Sequence, residues 1–565
     1  MKKVINILSL NEIFRFLLIS FLILLTSLSE ILLLLFIQPV LQIFLNIKAT
    51  TYNFNFFLFS YNFDTRLLFL FFIGIFFLRN IFYALTSIAK NRFITNLHIN
   101  ISNKIYSSYL NKSYIFFLKN NSSKLISNVI NEVNSFCHNV LDGFLIFLTE
   151  IFLIIAIALF LFFNFFQFSL ILLLFCFALF FLSIFFYKKK LKKIGLERSI
   201  SERIKINNLQ KSFYAIQSIK LDNIENFFIQ KYYNANKTSA KKLAFLNTFN
   251  DLHKPIWETL ILVSFVFSIY VGYNIFGLFR TDLVLILGTF VIALFRFLPS
   301  LNRILNSYNM FKFYSPSIDI IHQEIFDKNN FISKEKEQII DFKFFDQIKL
   351  NNVSFQYDNK NRFVLNKTNL TIKHNSICFI KGESGSGKST LLNIICGLLI
   401  PTTGEILVDG KNINSFLKSY QKKIGYVPQK TLLTDDSIIE NIVFGQHVED
   451  LDLNLVKEVI NKSKLNKLID KLPDGLNTTI GERGSSLSGG EQQRIGIARA
   501  LYKKPEILIL DEATSALDKE TERLLLKEIL ELQQFITIIM VSHKKLEIEK
   551  EFELFELADS KIIKK

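Results

Sequence analysis

Nine consecutive residues, Gly382, Glu383, Ser384, Gly385, Ser386, Gly387, Lys388, Ser389 and Thr390, have the types and spacing to hold a nucleotide by its phosphates. Glycines let backbone N–H groups close around phosphate oxygens, Lys388 reaches the β and γ phosphates, and the Ser389 hydroxyl can ligate Mg²⁺. The run follows Ser376–Lys381, which reads as a buried strand, and precedes an apolar helix beginning at Leu391. That is the strand–loop–helix setting the chemistry needs. A second buried strand, Ile507–Leu510, ends in Asp511 and Glu512. There Asp511 can hold Mg²⁺ through water, and Glu512 can polarise an attacking water. Between the two motifs lies Leu487-Ser488-Gly489-Gly490-Glu491, and after them come Ser515-Ala-Leu-Asp518 and His543.

These motifs sit in the C-terminal part of a chain of 565 residues, about twice the size at which one hydrophobic core stops growing. From about Ile339 onward, short β-rich runs alternate with helices and turns, predicting an α/β nucleotide-binding domain over 330–565. The part before it, 1–329, differs in kind. Half of all residues are apolar, 62 are Phe, and mean hydropathy is positive at +0.31. Six apolar runs are long enough to cross a bilayer: approximately Ile13–Ile37, Leu67–Leu85, Leu145–Phe163, Phe165–Tyr187, Ile256–Phe276 and Leu283–Leu298. The first is too long, and lacks the small-residue cleavage site, to be a removed signal peptide. The fold class expected is an α-helical membrane domain of six spans joined to an α/β P-loop NTPase domain.

A net charge of +17 would suggest nucleic acid in a soluble protein, but its location argues otherwise. Before residue 330 there are 32 Lys and Arg against 16 Asp and Glu, and from there on 34 against 33. The excess lies on the membrane half, mainly in the connections 86–139 and 188–255. The other connections are short or nearly uncharged, so the positive-inside rule places both termini and the two long connections in the cytoplasm. Helical spacing within them (Ile204, Leu209, Phe213, Ile216, Ile219) predicts helices projecting ~40 Å beyond the bilayer. The four cysteines (Cys137, Cys176, Cys378, Cys396) have neither CxxC nor metal spacing and read as buried reduced thiols.

The ordered set of phosphate loop, LSGGE run, second strand and His543 resembles the ATP-binding cassette (ABC) superfamily. The resemblance implies a role for each matched position. Tyr357 is the aromatic that stacks on adenine. Gln429, in Tyr426-Val-Pro-Gln429, senses Mg²⁺ and contacts the membrane domain. Ser488 and Gly490 meet the γ-phosphate of ATP held by the opposite subunit, Gly489 and Asp518 belong to the same nucleotide-binding set, and His543 is the switch histidine. Glu491 departs from the commoner Gln, with little loss expected. Catalysis falls to Glu512, His543 and Gln429, and metal binding to Ser389, Gln429 and Asp511, with ATP and Mg²⁺ as cofactors. Because each ATP site needs the phosphate loop of one cassette and the signature of another, one chain is half a machine, and a homodimer is expected.

The domain order resembles the bacterial exporter type, which implies a multi-pass inner-membrane protein with coupling helices near Lys112–Leu118 and Ile219–Phe227. The run Ala293–Tyr308, continued by Ser317–Ile321, resembles the PglK-type lipid-linked oligosaccharide flippase, and extends weakly to Glu30, Arg79, Glu150 and Glu258. Arg296 lies ~21 Å inward from Asp282, and Arg303 is seven residues on, on the same helical face. With Arg79 and Lys254 they form a cationic set suited to a lipid pyrophosphate; singly, each also reads as an ordinary snorkelling anchor. A lipid A core flippase or a multidrug exporter has the same architecture. A channel with a regulatory nucleotide sensor is disfavoured by the intact Glu512 and His543, and a nucleic-acid ATPase by the membrane runs.

Overall fold

The computed structural model describes residues 2–44, 51–56, 59–164, 166–274, 280–326, 343–357, 363–446, 451–481, 484–514, 517–542 and 552–565. The chain divides into two compact units, one of Met1–Lys112 with Phe116–Asn330, the other of Ser113–Ile115 with Phe331–Lys565.

The first unit is built on long helices. The long ones are α2 (Leu10–Phe44), α3 (Thr65–Leu110), α6 (Asp142–Asn164), α7 (Phe166–Tyr214), α9 (Glu225–Asn274) and α10 (Arg280–Tyr314), and the short ones α1 (Lys2–Ile7), α5 (Ser122–Ser127), α8 (Ile216–Asp222), α11 (Pro316–Phe326) and α4 (Tyr114–Lys119), whose first two residues belong to the second unit. The six apolar runs fall on α2, α3, α6, α7, α9 and α10. Among the described residues, Leu10–Ile37, Arg66–Leu110 and Ser122–Phe163 are long and apolar enough to cross a membrane. α3, α7 and α9 have 46, 49 and 50 residues, so each runs about 70 Å at ~1.5 Å per residue and outlasts any bilayer. The segments 86–139 and 188–255 are therefore mostly helix. The turns near 112–118 and 219–227 carry the short helices α4 and α8, the latter closed by Asn223 in the left-handed region (φ 54°). The first connection also contains an antiparallel hairpin, β1 (Thr51–Phe56) with β2 (Phe59–Asp64), which the sequence reading leaves as a plain connection.

Two apolar clusters hold this unit together. One gathers Ile23, Leu97, Ile105, Phe136, Leu145 and Phe313, and the other Leu33, Ile157, Leu161, Ala293 and Phe297. α7 and α10 approach backbone to backbone at Gly195, where an added Cβ would lie 1.7 Å from the Phe313 carbonyl oxygen.

The second unit has a six-stranded sheet in the order β12 (Lys561–Lys564), β11 (Glu553–Ala558), β5 (Ile377–Gly382), β10 (Thr537–Val541), β9 (Ile507–Asp511), β8 (Ile424–Val427). A four-stranded antiparallel sheet runs β4 (Leu365–Lys373), β3 (Gln347–Phe355), β6 (Thr403–Val408), β7 (Lys411–Asn412). Its helices are α12 (Lys388–Ile395), α13 (Leu417–Lys422), α14 (Ile438–Ile442), α15 (Leu453–Lys462), α16 (Asn466–Ile469), α17 (Gly489–Tyr502) and α18 (Lys519–Glu531). The period-2 alternation of strand side chains explains the interior. Ile377, Phe379, Leu508, Leu510, Ile538 and Met540 face one core, built with α14, α15, α17 and α18. Cys378, Ile380, Ile507, Ile509, Ile539 and Val541 face the other, shared with α12 and the antiparallel sheet. Strands buried on both faces read in sequence as unbroken apolar runs, as β5 and β9 do.

Candidate functional site

β5, β10 and β9 run parallel, with Val541 paired to both Ile380 and Asp511. Their C-terminal ends form the edge where the motif residues collect. At the end of β5, a Cβ on Gly382 would meet the Leu557 carbonyl oxygen and Ser386 Oγ, each at 2.7 Å. Gly385 (φ 81°) and Gly387 (φ 103°) adopt left-handed backbone that a side chain would strain. The loop then feeds α12, whose first residues are Lys388, Ser389 and Thr390, so an anion in the loop also faces a helix N-terminus. Lys388 Nζ donates to the carbonyl oxygens of Gly382 (2.9 Å) and Glu383 (2.8 Å). Burial pushes its pKa down, while Glu512 and Asp511 pull it back up.

Asp511 closes β9 beneath the loop. Burial pushes its carboxyl above the usual range, opposed by hydrogen bonds from Tyr426 and Ser389; Tyr426 Oη donates to Oδ2 at 3.2 Å. Glu512 leaves the strand in the left-handed region (φ 51°), a costly conformation for a non-glycine residue. Its N–H, donated to the Val541 carbonyl at 3.0 Å, helps hold it there. The turn throws its carboxylate toward Gln429, whose Nε2 donates to Oε2 at 2.7 Å. Lys388, Ser389, Asp511, Glu512 and Gln429 are thus brought into one cluster. Tyr357, just past β3, puts its hydroxyl 3.0 Å from Thr390 Oγ1, with its ring edge-on to Phe355.

The signature residues make their contacts elsewhere. Ser488 caps α17 in a reciprocal capping box: its N–H and its Oγ both donate to Glu491 Oε2 at 2.7 Å, and Oγ accepts the Glu491 N–H at 3.4 Å. Asp518 caps α18 by accepting the Thr521 N–H at 2.9 Å, and that backbone hydrogen bond holds its pKa below the usual carboxylate range. His543 and Ser515 lie outside the described residues.

Several supporting residues escape a reading by motif. Gln493 on α17 donates to the Gln429 carbonyl at 3.3 Å, tying the signature helix to the loop that carries Gln429. Arg499, three turns into the same helix, donates to the carbonyls of Asn441 (2.7 Å) and Leu432 (2.9 Å) and to Asn441 Oδ1 (3.0 Å). Fully buried Asn441 in turn accepts the Thr434 N–H (3.0 Å) and donates to the carbonyls of Thr434 and Ser437. Only the Ser-x-x-Glu spacing of the cap was visible as a pattern.

In the membrane-helix unit, three of the four sequence-selected cations meet carboxylates. Arg79 Nε donates to Glu30 Oε1 at 2.7 Å, and Arg296 lies 3.6 Å from the same oxygen, so one acid on α2 joins α3 to α10. Arg303 meets Glu150 of α6 at 3.0 Å. The Glu30 and Glu150 side chains are 8% and 6% exposed, whereas Arg296 and Arg303 keep 38% and 49%. Lys254 is exposed on α9.

Residues 365–515 match the model of the ABC transporter family, and residues 16–297 that of the ABC transporter transmembrane region. The ATP-dependent lipid A-core flippase of Syntrophus aciditrophicus is 29% identical over 79% of this chain and 73% of its own length. The mitochondrial iron-sulfur clusters transporter ATM1 of Candida albicans is 46% identical, but over only 35% of this chain and 26% of that protein. The lipid A-core flippase of Ralstonia nicotianae is 37% identical over 38% of this chain and 37% of its own. With two of these three relatives the chain thus aligns over less than half of their length. The fold of a bacterial Atm1-family ABC exporter with ATP bound superposes with a TM-score of 0.77 at 20% identity, covering 99% of this chain and 94% of that one. With both family regions in a single polypeptide, arranged in the order membrane region then ATP-binding domain, the chain belongs to the ABC transporters and has the architecture of a half-transporter.

Proposed function

We propose that two copies of this chain form an ATP-driven flippase that carries a lipid-linked oligosaccharide of the polyprenyl pyrophosphate type from the cytoplasmic to the outer leaflet of a bacterial inner membrane. The observation that carries the substrate reading is the carboxylate-anchored set Arg79, Arg296 and Arg303. Each guanidinium is oriented by a buried acid, and Arg296 and Arg303 keep part of their donor surface open to a phosphate. Lys254 is the weaker member of the set, lacking the planar donor fork.

ATP turnover follows from the cassette cluster. The glycine cradle and the α12 N-terminus receive the phosphates, and buried Ser386 Oγ lacks a partner there among the described residues. The oxygen donors of Ser389, Asp511 and Gln429 suit Mg²⁺, which when bound neutralises phosphate charge. Glu512 takes the proton of the attacking water, Gln429 orients that carboxylate, and His543 supplies a polar partner for the γ-phosphate. Ser488, Gly489 and Gly490 complete the site of the second copy.

The test is translocation in vesicles. Polyprenyl pyrophosphate oligosaccharide should cross with ATP, and Arg296→Ala with Arg303→Ala should abolish both transport and lipid-stimulated turnover; transport surviving the double change refutes the pyrophosphate reading. A second reading, lipid A core as cargo, is favoured by the flippase of Syntrophus aciditrophicus, similar over most of both chains. Lipid A core offered in the same vesicles decides between them.

A further inference from the structure

The lysines that give the membrane half its positive charge are not spread evenly over its surface. Lys2 and Lys3 of α1, Lys189, Lys192 and Lys193 of α7, and Lys312 near the end of α10 line one open cleft of about 830 Å³. The lining contains one carboxylate, Asp319 of α11, and it is already engaged, by Lys3 at 2.5 Å and Lys192 at 3.9 Å. The next acid along α7, Glu197, faces Lys193 but is held by Lys242. Lys190, between them, leaves the cluster to lie over the Phe245 ring. Of the remaining walls, Leu196, Phe311 and Ile318 are apolar and Ser315 is polar.

The level of this cleft follows from the chain. Lys189–Lys193 come directly after the apolar run that ends at Tyr187, and α1 directly precedes the first span. An opening at that depth lies at the lipid headgroups, where each lysine attracts an anionic lipid and the apolar wall suits its glycerol and upper acyl carbons. Six lysines drawn together by three separate elements share one carboxylate, Asp319, which pairs with Lys3 and Lys192, so a further anion among them lowers their mutual repulsion.

We propose that this cleft is a binding site for the phosphate headgroup of an anionic phospholipid of the cytoplasmic leaflet, distinct from any transported cargo, and that the lipid clamps α1 and α11 against α7. The proposal uses neither ATP turnover nor the arginine set, so it stands or falls apart from the transport reading.

The full-length chain in neutral detergent is titrated with dioctanoyl-phosphatidylglycerol, dioctanoyl-phosphatidylcholine or glycerophosphate while its melting is followed. Phosphatidylglycerol should raise Tm saturably and the other two should not. Lys2→Gln with Lys3→Gln and Lys312→Gln, which leaves the topology-setting run 188–193 intact, should weaken phosphatidylglycerol roughly a hundredfold at about fivefold per lysine. The corresponding Arg variants should restore it. Equal stabilisation of the Gln variant and the parent, or equal stabilisation by phosphatidylcholine, overturns the site. Stabilisation by glycerophosphate alone overturns the lipid and leaves a free-phosphate site.

Discussion

Replacing Glu491 by Gln tests how the signature segment is held before a nucleotide reaches it. The Glu491 carboxylate takes both donors of Ser488, the N–H and the hydroxyl, at 2.7 Å. That hydroxyl is the group proposed to meet the γ-phosphate of the opposite subunit, so it must exchange one anion for another. A hydrogen bond to a charged group is worth about 1.5–3 kcal/mol and one to a neutral group about 0.5–1.5 kcal/mol, so the neutral amide releases the hydroxyl about 1 kcal/mol more easily. Removing a unit charge ~5 Å from the phosphate adds about 0.8 kcal/mol at the dielectric of water, reduced further by salt at this exposed site. Together these predict that Glu491→Gln lowers the KM for ATP roughly fivefold or somewhat more, with kcat within about twofold. The amide oxygen still caps α17, so Tm should hold within a few degrees. The assay is ATP hydrolysis against ATP concentration, in lipid nanodiscs at low and at moderate salt. An unchanged or raised KM in a variant that melts normally refutes the idea that the carboxylate competes with the phosphate.

Glu512→Gln should cut ATP turnover by about 10²–10⁴-fold while leaving nucleotide binding intact, since the side chain keeps its size and a polar contact to Gln429; residual turnover near the parent's sinks the assignment of Glu512 as base. Asn441→Ala strips a fully buried hub shared by Thr434, Ser437 and Arg499, and should destabilise the cassette by about 2–4 kcal/mol, read as a lower denaturant midpoint in the full chain. Burial pushes the Cys396 thiol up to about 12 and raises that of Cys378, so at pH 8 neither forms thiolate; alkylation mapped by peptide mass spectrometry should find both unmodified until the cassette is unfolded. Gly195→Leu should disrupt α7 against α10, because its side chain has no room beside the Phe313 carbonyl, and should lower the yield of folded protein in detergent.

What the sequence made legible depended on the range of the forces involved. β5 and β9 were readable because a strand buried on both faces is a short unbroken apolar run, and the phosphate loop because its function needs fixed spacing. The long helices were readable from apolar runs continued by helical spacing, although segments 86–139 and 188–255 suggest loops by charge alone. The β1–β2 hairpin is masked by its setting: Tyr52, Phe54 and Phe56 alternate with polar residues, but a nearly uncharged connection between two spans reads first as a plain link. Pairing of Arg79 with Glu30 and of Arg303 with Glu150 joins residues 49 and 153 positions apart, and nothing local in either segment encodes the partner. Ser488 shows a different limit: its type and setting point to a contact with phosphate, while the Ser-x-x-Glu spacing in the same run points to its contact with its own helix.

The parallel register of β5, β10 and β9 has a bearing on error. The phosphate loop, Asp511 and Glu512 all depart from one edge, and the strands carrying them are fixed on both sides by separate cores. A lost methyl at Ile509 or Leu510 therefore moves the reacting groups together, as marks on a single ruler, and leaves the distances between them nearly unchanged. Such changes should lower the temperature at which the cassette works well before they alter its chemistry. Gln429 shares in this, since it lies two residues past β8, whose Val427 pairs with Leu510 of β9.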